Sequence, residues 1–464
     1  MGLLSTAKKL LGKIAIPERN DDKQIASKTI SINIGIDFGT SYSKVCFAER
    51  KEFHFVHFDK SEYKPSVVYF DYKNNVLYYE KPNNTGFFEE IKYFKYSMID
   101  DTLPKSENLA NLCLNTKPEI LCCLFFLTCL IKESKEYAYN YFLNILGDIK
   151  IDWSITMGVP IDNYENKNRQ LYDRLLNIAY KLSDQLTNFT ISVNILQNYY
   201  LENENIQIPK FQDSPINTLP ELYAESLAFL QNRNVMNGVY VLVDIGGGTV
   251  DLAIMYKESS NRYSMVSKSI KPLGIEIIAN NIVLNKKFID HVITYLQTHR
   301  SLFNLAYVSG EKEDEYKKMF KMAYAELIAD DLKKNGAWKE GIEKALHERN
   351  RVLEIFLCGG GANSRWYRDG IEQKNWDLRC LLVNDLNLKI LPVEKLLPDD
   401  DKNHYLNHRL LIAYILSKPI ETIPPLSGFP WDFQRINHVH TNEDSHDRYY
   451  SQQEKLKDKY GEYL

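Results

Sequence analysis

The sequence predicts an α/β protein of two lobes, and three observations carry that expectation. Two stretches share one plan: an apolar strand ending in aspartate, a turn of glycine and threonine, then a second strand. The first is Ile32-Asn33-Ile34-Gly35-Ile36-Asp37-Phe38-Gly39-Thr40-Ser41-Tyr42-Ser43-Lys44-Val45 and the second is Val239-Tyr240-Val241-Leu242-Val243-Asp244-Ile245-Gly246-Gly247-Gly248-Thr249-Val250-Asp251-Leu252-Ala253. Beyond Ser31, strand-like runs alternate with helical periodicities, the order that builds sheets layered with helices. A chain of 464 residues is also long enough for two separate cores.

Element by element, residues 1–14 put Leu3, Leu4, Ala7, Leu10, Leu11 and Ile14 on one helical face and Lys8, Lys9 and Lys13 on the other. That helix fits either a protein surface or an anionic membrane surface. Met1-Gly2-Leu3-Leu4-Ser5-Thr6 also matches the N-myristoylation pattern. After the first hairpin, strands are expected at 53–58, 66–71, 76–79, 151–158, 190–196, 239–256, 263–270, 353–357 and 381–383. Helices are expected near 88–98, 119–146, 165–186, 220–232, 276–298, 313–334, 363–374 and 404–417. The expected organisation is an N-terminal helix and linker over 1–30, lobe I over 31–235 and lobe II over 236–402. Lobe I carries a small subdomain at about 50–115 and is completed by 403–420, and a polar, aromatic tail spans 421–464.

Composition narrows the classes. At 44% hydrophobic and 25% charged, with a formal net charge of −4, the chain reads as an ordinary soluble globular protein with no broad basic surface for nucleic acid. The longest apolar run, 120–131, is too short to span a bilayer and reads as a buried helix. Seven cysteines (46, 113, 122, 123, 129, 358 and 380) lack metal spacing and suit free thiols in a reducing cytoplasm. His404 and His408 lie one helical turn apart with no third ligand close in sequence, so a polar helix face accounts for them.

The two hairpin turns lack bulky side chains, so backbone N–H groups and hydroxyls can close around phosphate oxygens. The aspartate at each strand end is placed to hold a hydrated Mg²⁺. Facing one another, the hairpins would grip a nucleotide from both sides. A third glycine cluster, Leu353-Glu354-Ile355-Phe356-Leu357-Cys358-Gly359-Gly360-Gly361-Ala362-Asn363-Ser364-Arg365, reads as strand, turn and helix start, where a base or ribose can lie against backbone.

In this order the three elements resemble the actin-like ATPase superfamily, with its ribonuclease H-like lobes and nucleotide cleft, and within it the seventy-kilodalton heat-shock chaperone branch. The resemblance covers about residues 31–420. The hairpins are similar to the phosphate-1 and phosphate-2 motifs and the third cluster to the adenosine motif. Trp153-Ser154-Ile155-Thr156-Met157-Gly158-Val159-Pro160 is similar to the family's strand ending in Val-Pro. His408-Arg409-Leu410-Leu411-Ile412-Ala413-Tyr414 is similar to its final helix, where Ala-Tyr is usual in chaperone relatives. Pro272-Leu273-Gly274-Ile275-Glu276 takes the place of a Leu-Gly-Gly-Glu turn, with Ile275 where the second glycine belongs.

The resemblance implies ATP/ADP and Mg²⁺ as ligands and assigns roles. Gly39, Thr40, Ser41 and Tyr42 would cradle one side of the phosphates, and Gly246, Gly247, Gly248 and Thr249 the other. Asp37 and Asp244 would hold the metal, mainly through water, with Asp251 supporting its shell or the attacking water. Gly274, Gly359, Gly360, Gly361, Ala362 and Asn363 would meet the nucleoside. Family members add a lysine and a glutamate: Lys95, with Lys92 as rival, and Glu221, with Glu225 as rival one turn further along the helix. Lys321, Glu326 and Lys333 lie in the region that should meet adenine.

Three functional classes share this fold. The leading expectation is a slowly hydrolysing, chaperone-type ATPase without a peptide-binding domain, working as a nucleotide switch with protein partners. Its place would be cytoplasmic, or peripheral to a membrane through residues 1–14. The alternatives are a filament-forming bacterial actin-like ATPase and a small-molecule kinase. No arginine stands out in the sequence as a transition-state partner.

Overall fold

The computed structural model describes residues 28–423 apart from residues 60, 84–85, 99–105, 114, 148, 161–166, 208–213, 231–234, 260–261, 300–301, 303–304, 335–351, 374–384 and 392–402. The expected N-terminal helix and the tail beyond 423 lie outside the described residues.

The chain opens with β1 (Lys28–Asp37), β2 (Tyr42–Glu49) and β3 (Glu52–Phe55), followed by the two-residue β4 (Lys64–Pro65). A small antiparallel sheet comes next, from β5 (Val67–Asp71), β6 (Val76–Tyr78) and β7 (Phe88–Lys92), joined later by Thr190–Ser192 beside β6, with a short helix, α1 (Phe94–Ser97), directly after β7. Then follow α2 (Pro118–Leu146), β8 (Ile149–Val159), α3 (Lys167–Ser183), β9 (Thr190–Ser192), α4 (Val193–Asn203), β10 (Ile216–Pro220) and α5 (Glu221–Leu230). The second half runs β11 (Gly238–Ile245), β12 (Val250–Ser259), β13 (Arg262–Lys271), α6 (Ile275–Ile282), α7 (Ile289–Thr298), α8 (Gly310–Lys334), β14 (Val352–Cys358), α9 (Arg365–Gln373), β15 (Asp385–Ile390) and α10 (Asn403–Leu416).

The two large sheets have the same topology. Read from one edge, the first runs β3-β2-β1-β8-β10 and the second β13-β12-β11-β14-β15. In each, three antiparallel neighbours are followed by two strands parallel to the first-formed one. The fold is therefore the two-lobed α/β arrangement that the sequence predicts, one plan used twice.

Strand chemistry explains both cores. In β1, Ile30, Ile32, Ile34 and Ile36 alternate onto one buried face over α2 and α3. β11 is apolar on both faces: Val239, Val241 and Val243 enter the lobe II core, while Tyr240 and Leu242 enter a third cluster. That third cluster joins the lobes, packing α5 and α10 between the two sheets. α10 crosses β1 so closely that a Cβ on Gly35 would stand 2.2 Å from the Ala413 carbonyl oxygen.

Three expectations are corrected, and one strand was not foreseen. Residues 88–98 are not one helix: the Phe88, Ile91 and Phe94 spacing suits one, but Phe88–Lys92 pairs antiparallel with β5. Left-handed Tyr93 (φ 58°) then turns the chain into α1. The 190–196 strand stops at Ser192, whose successors form α4. The 276–298 helix is two helices, broken where the Asn285 side chain caps a tight turn at Lys286–Phe288. β10 was not expected; it pairs with β8 through Pro220, whose missing N–H suits the strand's end. Residues 381–383 lie outside the described ones. No described helix is long and apolar enough to cross a membrane, and the six described cysteines carry buried, free thiols.

Candidate functional site

A cavity of about 460 Å³ opens between the lobes, within the range of about 300–1,000 Å³ usual for small-molecule sites. Both hairpin turns line it, as do the third glycine turn and Arg409 and Ile412 of α10.

The turns are built to face each other. In lobe I, Ser66 fixes the first turn: its hydroxyl donates to the Gly39 carbonyl at 2.8 Å and its N–H to the Ser41 carbonyl at 2.8 Å. In lobe II, the Gly246 N–H donates to the Thr249 carbonyl at 2.9 Å. The start of α6 docks on the same turn through the N–H groups of Gly274, Ile275 and Glu276, which donate to the carbonyls of Gly248, Gly246 and Gly247. Ile275 therefore leaves this loop intact, its side chain buried against Gly361. A Cβ on Gly248 would lie 2.9 Å from Thr40 Cγ2, and one on Gly247 would lie 2.4 Å from Ser41 Oγ. The two turns thus meet across the cleft, with Ser41 Oγ buried and lacking a hydrogen-bond partner.

Carboxylates crowd one end. Asp37, Glu221, Glu225, Asp244 and Asp251 all line the cavity. Lys44 donates to Asp37 Oδ2 at 2.8 Å, and Lys95 donates to Glu221 Oε1 at 2.6 Å. Lys95 is buried and lies over the Phe38 ring. The Cys358 thiol donates to Glu225 Oε2 at 3.1 Å. Asp244 Oδ1, Asp251 Oδ1 and Glu225 Oε1 are out of solvent and have no hydrogen-bond partner. Burial first, then Glu221 and Asp37, push the Asp244 carboxyl up to about 7. Burial and the neighbouring Asp244 charge push Asp251 and Glu225 well above the carboxylate range. Glu221 is raised by burial and pulled back by Lys95.

Orphaned carboxylate oxygens raised in this way are what a hard divalent cation relieves. Asp37, Asp244 and Asp251 fit a hydrated Mg²⁺ by donor type. Glu225, Asp244 and Cys358 also bring ligand atoms within 4.8 Å of one another. Gly359 (φ +75°) needs to be glycine on two counts, since a Cβ there would fall 1.9 Å from Asp244 Oδ1.

Of the residues singled out in the sequence, Asp37, Gly39, Thr40, Ser41, Tyr42, Lys95, Glu221, Asp244, Gly246, Gly247, Gly248, Thr249, Asp251, Gly359 and Gly360 all line the cavity. Gly274, Gly361, Ala362 and Asn363 do not line it. The first three support it from behind: Gly274 and Gly361 by close packing, Ala362 by burial. Of the rival pairs, Lys92 stands on β7 paired with Glu90 at 3.0 Å and does not line the cavity, whereas Glu221 and Glu225 both reach it. Asp290, Ile293, Thr294 and Gln297 of α7 line the cleft, and Lys321 of α8, expected near adenine, does not. The side chains of Glu326 and Lys333 lie outside the described residues.

Sequence reasoning missed Lys44, Tyr63, Glu276 and Arg409, which also line the cavity. Lys44 sits two residues beyond Tyr42 on the same strand, so strand alternation was the available signal. Glu276 accepts from the Tyr93 hydroxyl at 3.1 Å, and the Asn280 amide donates to that hydroxyl at 3.4 Å, a contact joining the small sheet to lobe II.

No family model matches the chain, and no curated protein does. Among solved structures it is similar to MreB5 of Spiroplasma citri bound to ADP, at 13% sequence identity and a TM-score of 0.42, over 84% of this chain and 99% of that one. None of these comparisons singles out the heat-shock chaperone branch.

Proposed function

We propose that this chain is an actin-like ATPase that clamps Mg²⁺–ATP between its lobes, hydrolyses it, and passes the resulting change of lobe geometry to protein partners. The observation that carries the reading is one cleft where two hydroxyl- and glycine-rich turns face each other beside buried carboxylate oxygens that lack partners. A polyphosphate with its divalent cation satisfies both halves of that site at once.

In this reading Thr40, Ser41 and the Gly246–Thr249 turn hold phosphate oxygens, and Lys44 pairs with the Asp37 carboxylate beside them. Asp37 and Asp244 hold the hydrated Mg²⁺, which neutralises charge developing on the phosphates. Asp251 and Glu221 orient the attacking water and accept its proton, and Lys95 fixes the Glu221 carboxylate in place. The Gly359–Gly360 turn and α7 flank the nucleoside.

For the output of the switch, self-assembly as in filament-forming actin relatives takes precedence over chaperone work. Of the residues that favoured the chaperone branch, the Ala-Tyr pair has a packing role: Ala413 lies against Gly35, and Tyr414 against the Phe53 ring at 4.5 Å.

Calorimetry with ATP and ADP, with and without Mg²⁺, tests the reading. Metal-dependent binding is expected, and no affinity for either nucleotide would overturn it. Asp244→Ala should abolish Mg²⁺-dependent turnover. ATP-dependent sedimentation separates the two outputs: pelleting with ATP supports assembly, and its absence removes that reading.

A further inference from the structure

The sequence gives Arg409 no role beyond its place in the last helix, yet it lies in the cleft. Arg409 and, three residues on, Ile412 both line the cavity from α10. A Cβ built on Gly360 would stand 3.2 Å from a terminal nitrogen of the Arg409 guanidinium, so the backbone of the third glycine turn passes directly against this charge. The guanidinium carbon is 5.8 Å from the centre of the Tyr63 ring, and Tyr63 meets Tyr42 of the first phosphate turn edge-on at 5.2 Å. Arg409 is thus bracketed by the phosphate turn of one lobe and the glycine turn of the other.

The charges of the cleft give that position its meaning. Lys44 is engaged by Asp37 and Lys95 by Glu221. Among the described residues no carboxylate pairs with Arg409. A polyphosphate carries more negative charge than one divalent cation offsets, and a guanidinium is the side chain best shaped to take two phosphate oxygens at once. The order along the turn places the contact. Gly359 abuts the Asp244 carboxylate and Gly360 abuts Arg409, whereas the hairpin turns, where the terminal phosphates belong, meet at Gly248 and Thr40.

We propose that Arg409 binds the phosphate nearest the nucleoside and so makes the cleft select phosphorylated nucleosides over free ones. This rests on the nucleotide reading above. The test is calorimetry of the full chain with ATP, ADP, AMP and, by competition, adenosine, comparing wild type, Arg409→Ala and Arg409→Lys. Arg409→Ala is expected to weaken ATP, ADP and AMP alike by about 10- to 100-fold, the span of a lost hydrogen-bonded charge contact, and to leave adenosine where it was. Arg409→Lys should recover part of the loss. An equal loss for adenosine, a loss confined to ATP, or no loss at all overturns the assignment. Should Arg409→Ala fail to fold, Arg409→Gln keeps the length of the side chain and supplies the same comparison. A wild-type protein that binds no nucleotide sinks the proposed function itself. Wild-type binding that Arg409→Ala leaves unchanged sinks only the role of the arginine.

Discussion

At the residue scale, the buried acids make stability depend on pH with a definite sign. Asp244 is held at about 7, above its ordinary 3.8, so the folded state binds this proton more tightly than the unfolded chain does. Its contribution is full below the ordinary value and is lost as pH rises through about 7; Asp251 and Glu225 are displaced the same way. The ligand-free protein should therefore lose melting temperature as pH rises from about 4 to about 7, and Mg²⁺ with nucleotide should restore it. A flat profile by scanning fluorimetry would contradict the buried cluster. The rival glutamates separate by partner. Glu221→Gln removes the charge that pairs with Lys95 and the group that would take the water's proton, and is expected to cut turnover by roughly 100-fold. Glu225→Gln keeps an acceptor for Cys358 and should cost far less, which side-by-side steady-state assays would reveal.

At the element scale, close backbone approaches and one cross-cleft contact set the expectations. Gly35→Ala forces a methyl into the α10 backbone and should destabilise the protein by about 3 kcal/mol, measurable by denaturant unfolding. Tyr93→Phe removes the hydroxyl that reaches Glu276 across the cleft while keeping the ring. Release of a fluorescent ADP analogue should then quicken by about 3- to 10-fold at nearly unchanged stability; an unaltered release rate would mean that the contact carries no load. The two glycine-threonine hairpins were legible because one strand-turn-strand pattern recurs and a third glycine cluster follows it in order. Phe88–Lys92 was not, since its apolar spacing suits a helix and only the neighbouring strand decides otherwise. Glu276 and Arg409 were unreadable for a related reason: their partners, Tyr93 and Gly360, are remote in sequence.

At the scale of the whole molecule, the two sheets share a topology while their helices differ, which is why the repeated hairpin was visible and the cleft-lining face of α7 was not. The lobes meet both at the opposed turns and through the apolar cluster around α5 and α10. A ligand that grips both turns should draw the lobes together, reducing the radius of gyration in solution scattering when Mg²⁺–ATP is added. The crossing of α10 over β1 has a consequence for the order of events at the ribosome. The strand that begins lobe I is covered by a helix made only after all of lobe II has emerged. Lobe II can assemble from a continuous stretch of chain, whereas lobe I must wait with part of β1 bare, a window in which a nascent chain would depend on being shielded.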